Sequence, residues 1–194
     1  MSTTRDAVRD LYRARWGEPT RRAHFDAGEF DIDVFKWDAD ANPEGVTLYA
    51  TVGASAHPIP GRDPGHRVEF FVGLLPAQDG IASPLAALGL YPAREELALD
   101  HGHTVPAGRP VWPGSSMHTL LVARPRDDFL PALELPDGLH VEFLQAIPLF
   151  DPGRRPASAS RTRIAGLERP RNNPRVDLLR GSVVPGTVER WPQR

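Results

Sequence analysis

The chain has 194 residues, a net charge of −2 and 40% hydrophobic residues, enough for one core of ordinary domain size. With no cysteine it holds no disulfide framework, thiolate metal site, iron–sulfur cluster or cysteine nucleophile, and its 21 proline and 17 glycine residues fall short of low-complexity composition. No apolar run reaches the ~18–20 residues of a membrane span, and the opening MSTTRDAVRD lacks a signal-peptide pattern. The reading is therefore cytoplasmic, with no membrane partner.

In chain order, the first segment reads as a helix capped by Thr3 or Thr4, with Val8, Leu11, Tyr12 and Arg15 or Trp16 at helical spacing, and it ends at Gly17 and Pro19. Phe30 to Trp37 alternates apolar residues with Asp31 and Asp33, which predicts a half-buried strand with a solvated acidic face. The turn Asn42-Pro43-Glu44-Gly45 and a second strand over 46–52 make this an antiparallel hairpin. Residues 53–66 form a long irregular loop, the kind that more often binds than merely connects. The run 67–76 is too apolar for a one-sided strand and predicts a central one. A helix is expected over 83–99, with Ser83 as cap, Pro84 at the first helical position and Pro92 either kinking it or starting another. Strands over 118–123 and 139–150 complete at least five. Strands not regularly separated by helices argue for an α+β fold: a mixed, largely antiparallel sheet with flanking helices. The expected core includes Ile32, Val34, Leu48, Val68, Phe70, Leu120, Val122, Phe143 and Ile147.

After Phe150 the periodicity is lost. Residues 1–150 carry 13 basic and 21 acidic side chains, a balance of −8, whereas 151–180 carry eight Arg against three acids. The organisation expected is an α+β domain over 1–150, an Arg/Pro-rich flexible segment over 151–175 and a tail over 176–194 that docks back on the body. The tail lacks interleaved aromatics until Trp191, which argues against nucleic acid.

The segments FDIDVFKW, VTLYATVGAS, RVEFFVGLLP, the helix ending in LALDHGHTVPAG, and HVEFLQAIPLF stand in an order that resembles the Suppressor of fused (SUFU) domain family, bacterial type, over about residues 7–150. The marks are Thr47 to Ser55 ending in a Gly-x-Ser turn, Gly102-His103-Thr104-Val105, and Phe143-Leu144-Gln145 before Ile147-Pro148. Ala56 departs from the Asp that many members carry after that Ser. The resemblance implies a SUFU-like α+β domain that binds a protein or peptide partner without catalysis and without a cofactor. For bacterial relatives it implies an immunity protein that neutralises a partner toxin. It also implies partner-binding roles for Tyr49, Ser55 and His103, with loop 53–66 and the His103 loop flanking one cleft, where Trp112 is expected to add apolar contact to a partner.

Other chemistries weigh less. Asp100, His101 and His103 combine ordinary metal ligands, and a metal-dependent hydrolase is the alternative function they suggest. A histidine after a helix more often bonds the helix end. Ser115, Ser116 and His118 lack a nucleophile elbow. The acidic body, with Asp31, Asp33, Asp38 and Asp40, suits a basic partner through complementary fields. Trp112 suits either an interface anchor or core packing.

Overall fold

The computed structural model describes residues 3–126 and 129–150 and the backbone of 163–164. The expected flexible segment 151–175, apart from 163–164, and the docking tail 176–194 lie outside the described residues.

Helix α1 (Thr4–Trp16) opens with a capping box: the Thr3 hydroxyl accepts from the Asp6 amide while the Asp6 carboxylate accepts from Thr3 N. Strands β1 (Arg21–Asp26), β2 (Asp31–Trp37), β3 (Thr47–Val52) and β4 (His66–Leu75) follow as an antiparallel meander. Helix α2 (Ala82–Arg94) comes next, then β5 (Thr104–Pro106), β6 (Met117–Ala123), β7 (Leu133–Glu134), β8 (His140–Phe150) and β9 (Arg163–Ile164). The sheet runs β1-β2-β3-β4-β8-β6-β5, with β7 paired to β8 and β9 to β4. Among the described residues β4·β8 is the one parallel pair, so the fold is α+β with a mixed, largely antiparallel sheet.

A helix covers each face. α1 places Val8, Tyr12 and Trp16, one turn apart, against Trp37, Leu48, Phe71 and Phe143. On the other face α2 packs Leu85, Ala86 and Leu88 in a cluster with Ile32, Val34, Val68, Phe70 and Val122. All nine expected core residues are buried.

Three expectations need correction. β2 is not half-buried: Asp33 is 1% exposed, because α1 and β1 bring Arg9, Arg22 and His24 to its carboxylate at 3.3, 2.7 and 2.9 Å. Asp33 is thus capped by two guanidinium groups and an imidazole instead of water, while Asp31 beside it stays half exposed. Ser83 is not the cap of α2. A 3-10 turn, Asp79–Ile81, feeds the helix directly, and the Ser83 hydroxyl accepts from Arg109. Finally, α2 stops at Arg94, two residues past Pro92, and Glu96 takes a left-handed φ of 51°. Pro92 lies in the last turn and starts no second helix.

Candidate protein-binding surface

The antiparallel order sends the loops to two ends of the sheet. Loop 53–66, the loop before β5 and the connection from β6 to β8 share one end; the turn before α2 and the C-termini of β4 and β8 share the other.

At the first end, β3 runs into Gly53-Ala54-Ser55, which wraps around Glu69 of β4. Glu69 is fully buried; its Oε1 accepts from Gly53 N (2.8 Å), Ser55 N (3.1 Å) and Ser55 Oγ (2.7 Å), and its Oε2 meets Thr51 Oγ1 at 2.5 Å. Burial raises its pKa above the ordinary carboxylate value, and the hydrogen bonds only partly oppose this. Gly53 has φ +124°, and a Cβ there would sit 2.9 Å from the Arg5 guanidinium, so this turn requires glycine. Arg5 in turn grips Asp31 through its carboxylate and its carbonyl. The Gly-x-Ser signature therefore has a structural job, tying loop 53–66 to the central strand. Ser55 is buried inside that job.

The two loops expected to flank a cleft do meet. Arg62 pairs with Asp100 at 2.5 Å, and Arg124 bridges Asp100 (3.0 Å) and Glu142 (2.8 Å). His66 stacks on His140 across β4·β8. His103 accepts the Asp100 amide on Nδ1, and His101 accepts the Arg124 amide on Nδ1. This geometry does not gather Asp100, His101 and His103 as one set of ligands. Asp100 spends its carboxylate on two guanidinium groups, both imidazoles turn a nitrogen to the backbone, and among the described residues no three His, Asp or Glu side chains are grouped to hold a metal.

Tyr49 and Trp112 come together elsewhere, on the turn before α2. The Tyr49 ring is buried in the core; its hydroxyl donates to Asp79 (2.8 Å) and accepts from Gln78 N (3.1 Å). Burial, then the Asp79 bond, raise its pKa. Lys36 reaches the same Asp79 oxygen at 2.8 Å. Trp112, also buried, packs so closely over Gly80 that a Cβ there would lie 2.9 Å from the Trp112 Cβ. β3, which carries Tyr49, lies four strand spacings from β5, roughly 19 Å, so His103 and Tyr49 sit apart. Thus the structure joins Tyr49 with Trp112 and Ser55 with Glu69, and leaves His103 with the Arg62–Asp100–Arg124 network. Sequence reading missed Glu69, Arg62 and Arg124. For Glu69 the signal was present: a lone acid inside a run otherwise buried on both faces.

The comparisons fit this architecture. The family model for Suppressor of fused protein (SUFU) matches residues 28–171. The Sufu–Fu complex structure aligns with a TM-score of 0.51 at 19% identity, covering 76% of this chain and 74% of that one. Drosophila Suppressor of Fused gives 0.51 at 18%, covering 76% of this chain, which spans 41% of the fly protein's chain. A SUFU homologue from Neisseria gonorrhoeae FA 1090 gives 0.49 at 19%, with 74% and 76% covered. No curated protein gives a significant match. With a family match that spans most of its length, the chain belongs to the Suppressor of fused family.

Proposed function

We propose that the chain is a non-enzymatic module that binds a partner protein or peptide, and that in a bacterial cytoplasm it acts as an immunity protein neutralising a toxin. The family match over residues 28–171 carries this reading, supported by a solved relative recorded in complex with a protein, Sufu–Fu. The −8 balance of residues 1–150 supports a basic partner, since complementary fields speed encounter. Tyr49, Ser55, His103 and Trp112 contribute by shaping the loops at the two ends of the sheet, because Tyr49, Ser55 and Trp112 are buried.

Affinity capture of the tagged full chain from its native cells, with mass spectrometry, should recover one stoichiometric protein whose toxicity in a test host is relieved by co-expression. Tyr49→Phe, which removes the bonds to Asp79 and Gln78 while keeping the ring, should weaken that complex without unfolding the chain. Recovery of stoichiometric metal with a hydrolytic activity, both lost in His101→Ala with His103→Ala, would replace this function with the hydrolase reading.

A further inference from the structure

β4 and β8 pair in parallel from His66↔His140 to Phe71↔Gln145 and then part. β8 continues to Phe150 along β6, while β4 continues to Leu75 along β3. Between them the sheet splits, and the β4 edge beyond Phe71 is left for a further strand. An open edge of this kind accepts an extended chain through its backbone groups. Pro148 of β8 has no N–H, and within a sheet proline belongs beside an edge or a bulge. The two exposed large apolar side chains among the described residues, Leu75 (38%) and Phe150 (40%), lie at this same end, one on each side of the split.

The occupant is the chain itself. β9 pairs antiparallel with β4, Leu74 opposite Ile164 and Leu75 opposite Arg163. β8 ends at Phe150, at the end of the sheet where β4 also ends, and twelve residues of sequence, 151–162, separate it from β9. The surrounding segment is basic, with Arg161, Arg163, Arg169 and Arg171, and the body is acidic at −8.

We propose that the split between β4 and β8 is a strand-docking slot for extended basic segments, and that residues 163–164 are its resident, exchangeable occupant. This deepens the protein-binding reading and rests on it only for a basic partner; occupancy by the chain's own segment stands without one. A twelve-residue tether gives an effective concentration on the order of millimolar, so a free peptide must compete with the resident strand.

The test uses the full chain. Arg163→Pro with Ile164→Pro removes both amides from β9. Amide exchange over residues 72–75 should then quicken at least tenfold, while residues 66–71 and 140–145 keep their protection. A fluorescent synthetic peptide of residues 160–167 should bind this variant about tenfold or more tighter than it binds the unaltered chain. Equal exchange over 72–75 in the two proteins, or equal peptide binding, would overturn the proposal. Independently, Leu75→Cys with Arg163→Cys in this cysteine-free chain should form an intramolecular disulfide under mild oxidation, since antiparallel partners place Cα atoms about 4.5–5.5 Å apart. No cross-link, or one between two copies only, would also overturn it. Failure of partner capture with these results intact would remove the immunity reading and leave the slot.

Discussion

A single carboxylate decides how loop 53–66 is held. Glu69 accepts or shares four bonds from Thr51, Gly53 and Ser55, and Thr51 is in turn fixed by accepting from Phe70 N at 2.8 Å. A protonated Glu69 also fits: its Oε2 donates to Thr51 Oγ1, whose own hydrogen turns to Phe70 O at 3.3 Å. Glu69→Gln can imitate that state and should cost no more than about 1 kcal/mol at neutral pH. Glu69→Ala orphans buried donors at about 1–3 kcal/mol each and should cost about 3 kcal/mol or more in urea unfolding. The pH dependence has a definite sign. Because the folded pKa is raised, the folded chain keeps a proton that the unfolded chain has lost in the window above the ordinary carboxylate value. Wild-type stability relative to Glu69→Gln should therefore fall as pH rises through that window. The opposite slope would mean that the donors hold an anion.

At the scale of the element, α2 reaches the sheet through Gly89. A Cβ there would lie 2.5 Å from Ile32 Cδ1 and 3.3 Å from Thr51 Cγ2, so a larger residue requires the buried end of Ile32 to move. Gly89→Ala improves helix propensity by about 1 kcal/mol, but overpacking costs about 1–3 kcal/mol, and the net should be destabilising. Ile32→Val removes the obstructing Cδ1, so the double variant should recover most of the loss; simple additivity in a double-mutant cycle would refute this packing. Local pattern made much of these elements legible. The Thr3 cap, the Gly17 stop and the buried run of β4 are written in neighbouring residues. The short strands β1, β5 and β7 were not. β1, RRAHFD, has only Ala23 and Phe25 to bury, and it pairs because β2 offers Asp33 to Arg22 and His24. Asp33 reads as solvated from sequence because alternation along one strand carries no record of Arg9, on a helix 24 residues earlier in the chain.

For the whole molecule, the same limit separates what the sequence yields from what only the fold assembles. The central place of β4 and the largely antiparallel sheet follow from patterning, whereas the parallel β4·β8 pair, the two ends and the ion-pair network at one of them arise from contacts between distant segments. Those contacts set the response to acid. His57, its ring edge on Phe30, has its pKa lowered by burial and then by Arg5; His66 is lowered by burial, with Glu142 opposing and His140 adding to the effect. Below the ordinary histidine value of about 6.5 the unfolded chain binds protons that the folded chain refuses. Their contribution is thus complete above that pH and lost as pH falls through the lower folded values. A second loss lies further down. Asp31, held chiefly by its Arg5 hydrogen bond, has a lowered pKa, as does Asp100, where burial is outweighed by the His101 amide, Arg62 and Arg124. Stability from these carboxylates is present above their ordinary value and disappears as pH falls through the depressed ones. In the Glu69→Gln background, which removes the opposing carboxyl, urea midpoints followed by circular dichroism from pH 7.5 downward should therefore drop in two stages. His57→Gln with His66→Gln should flatten the first stage and leave the second, whereas a first stage that persists undiminished in this variant would assign the acid response to groups other than these two histidines.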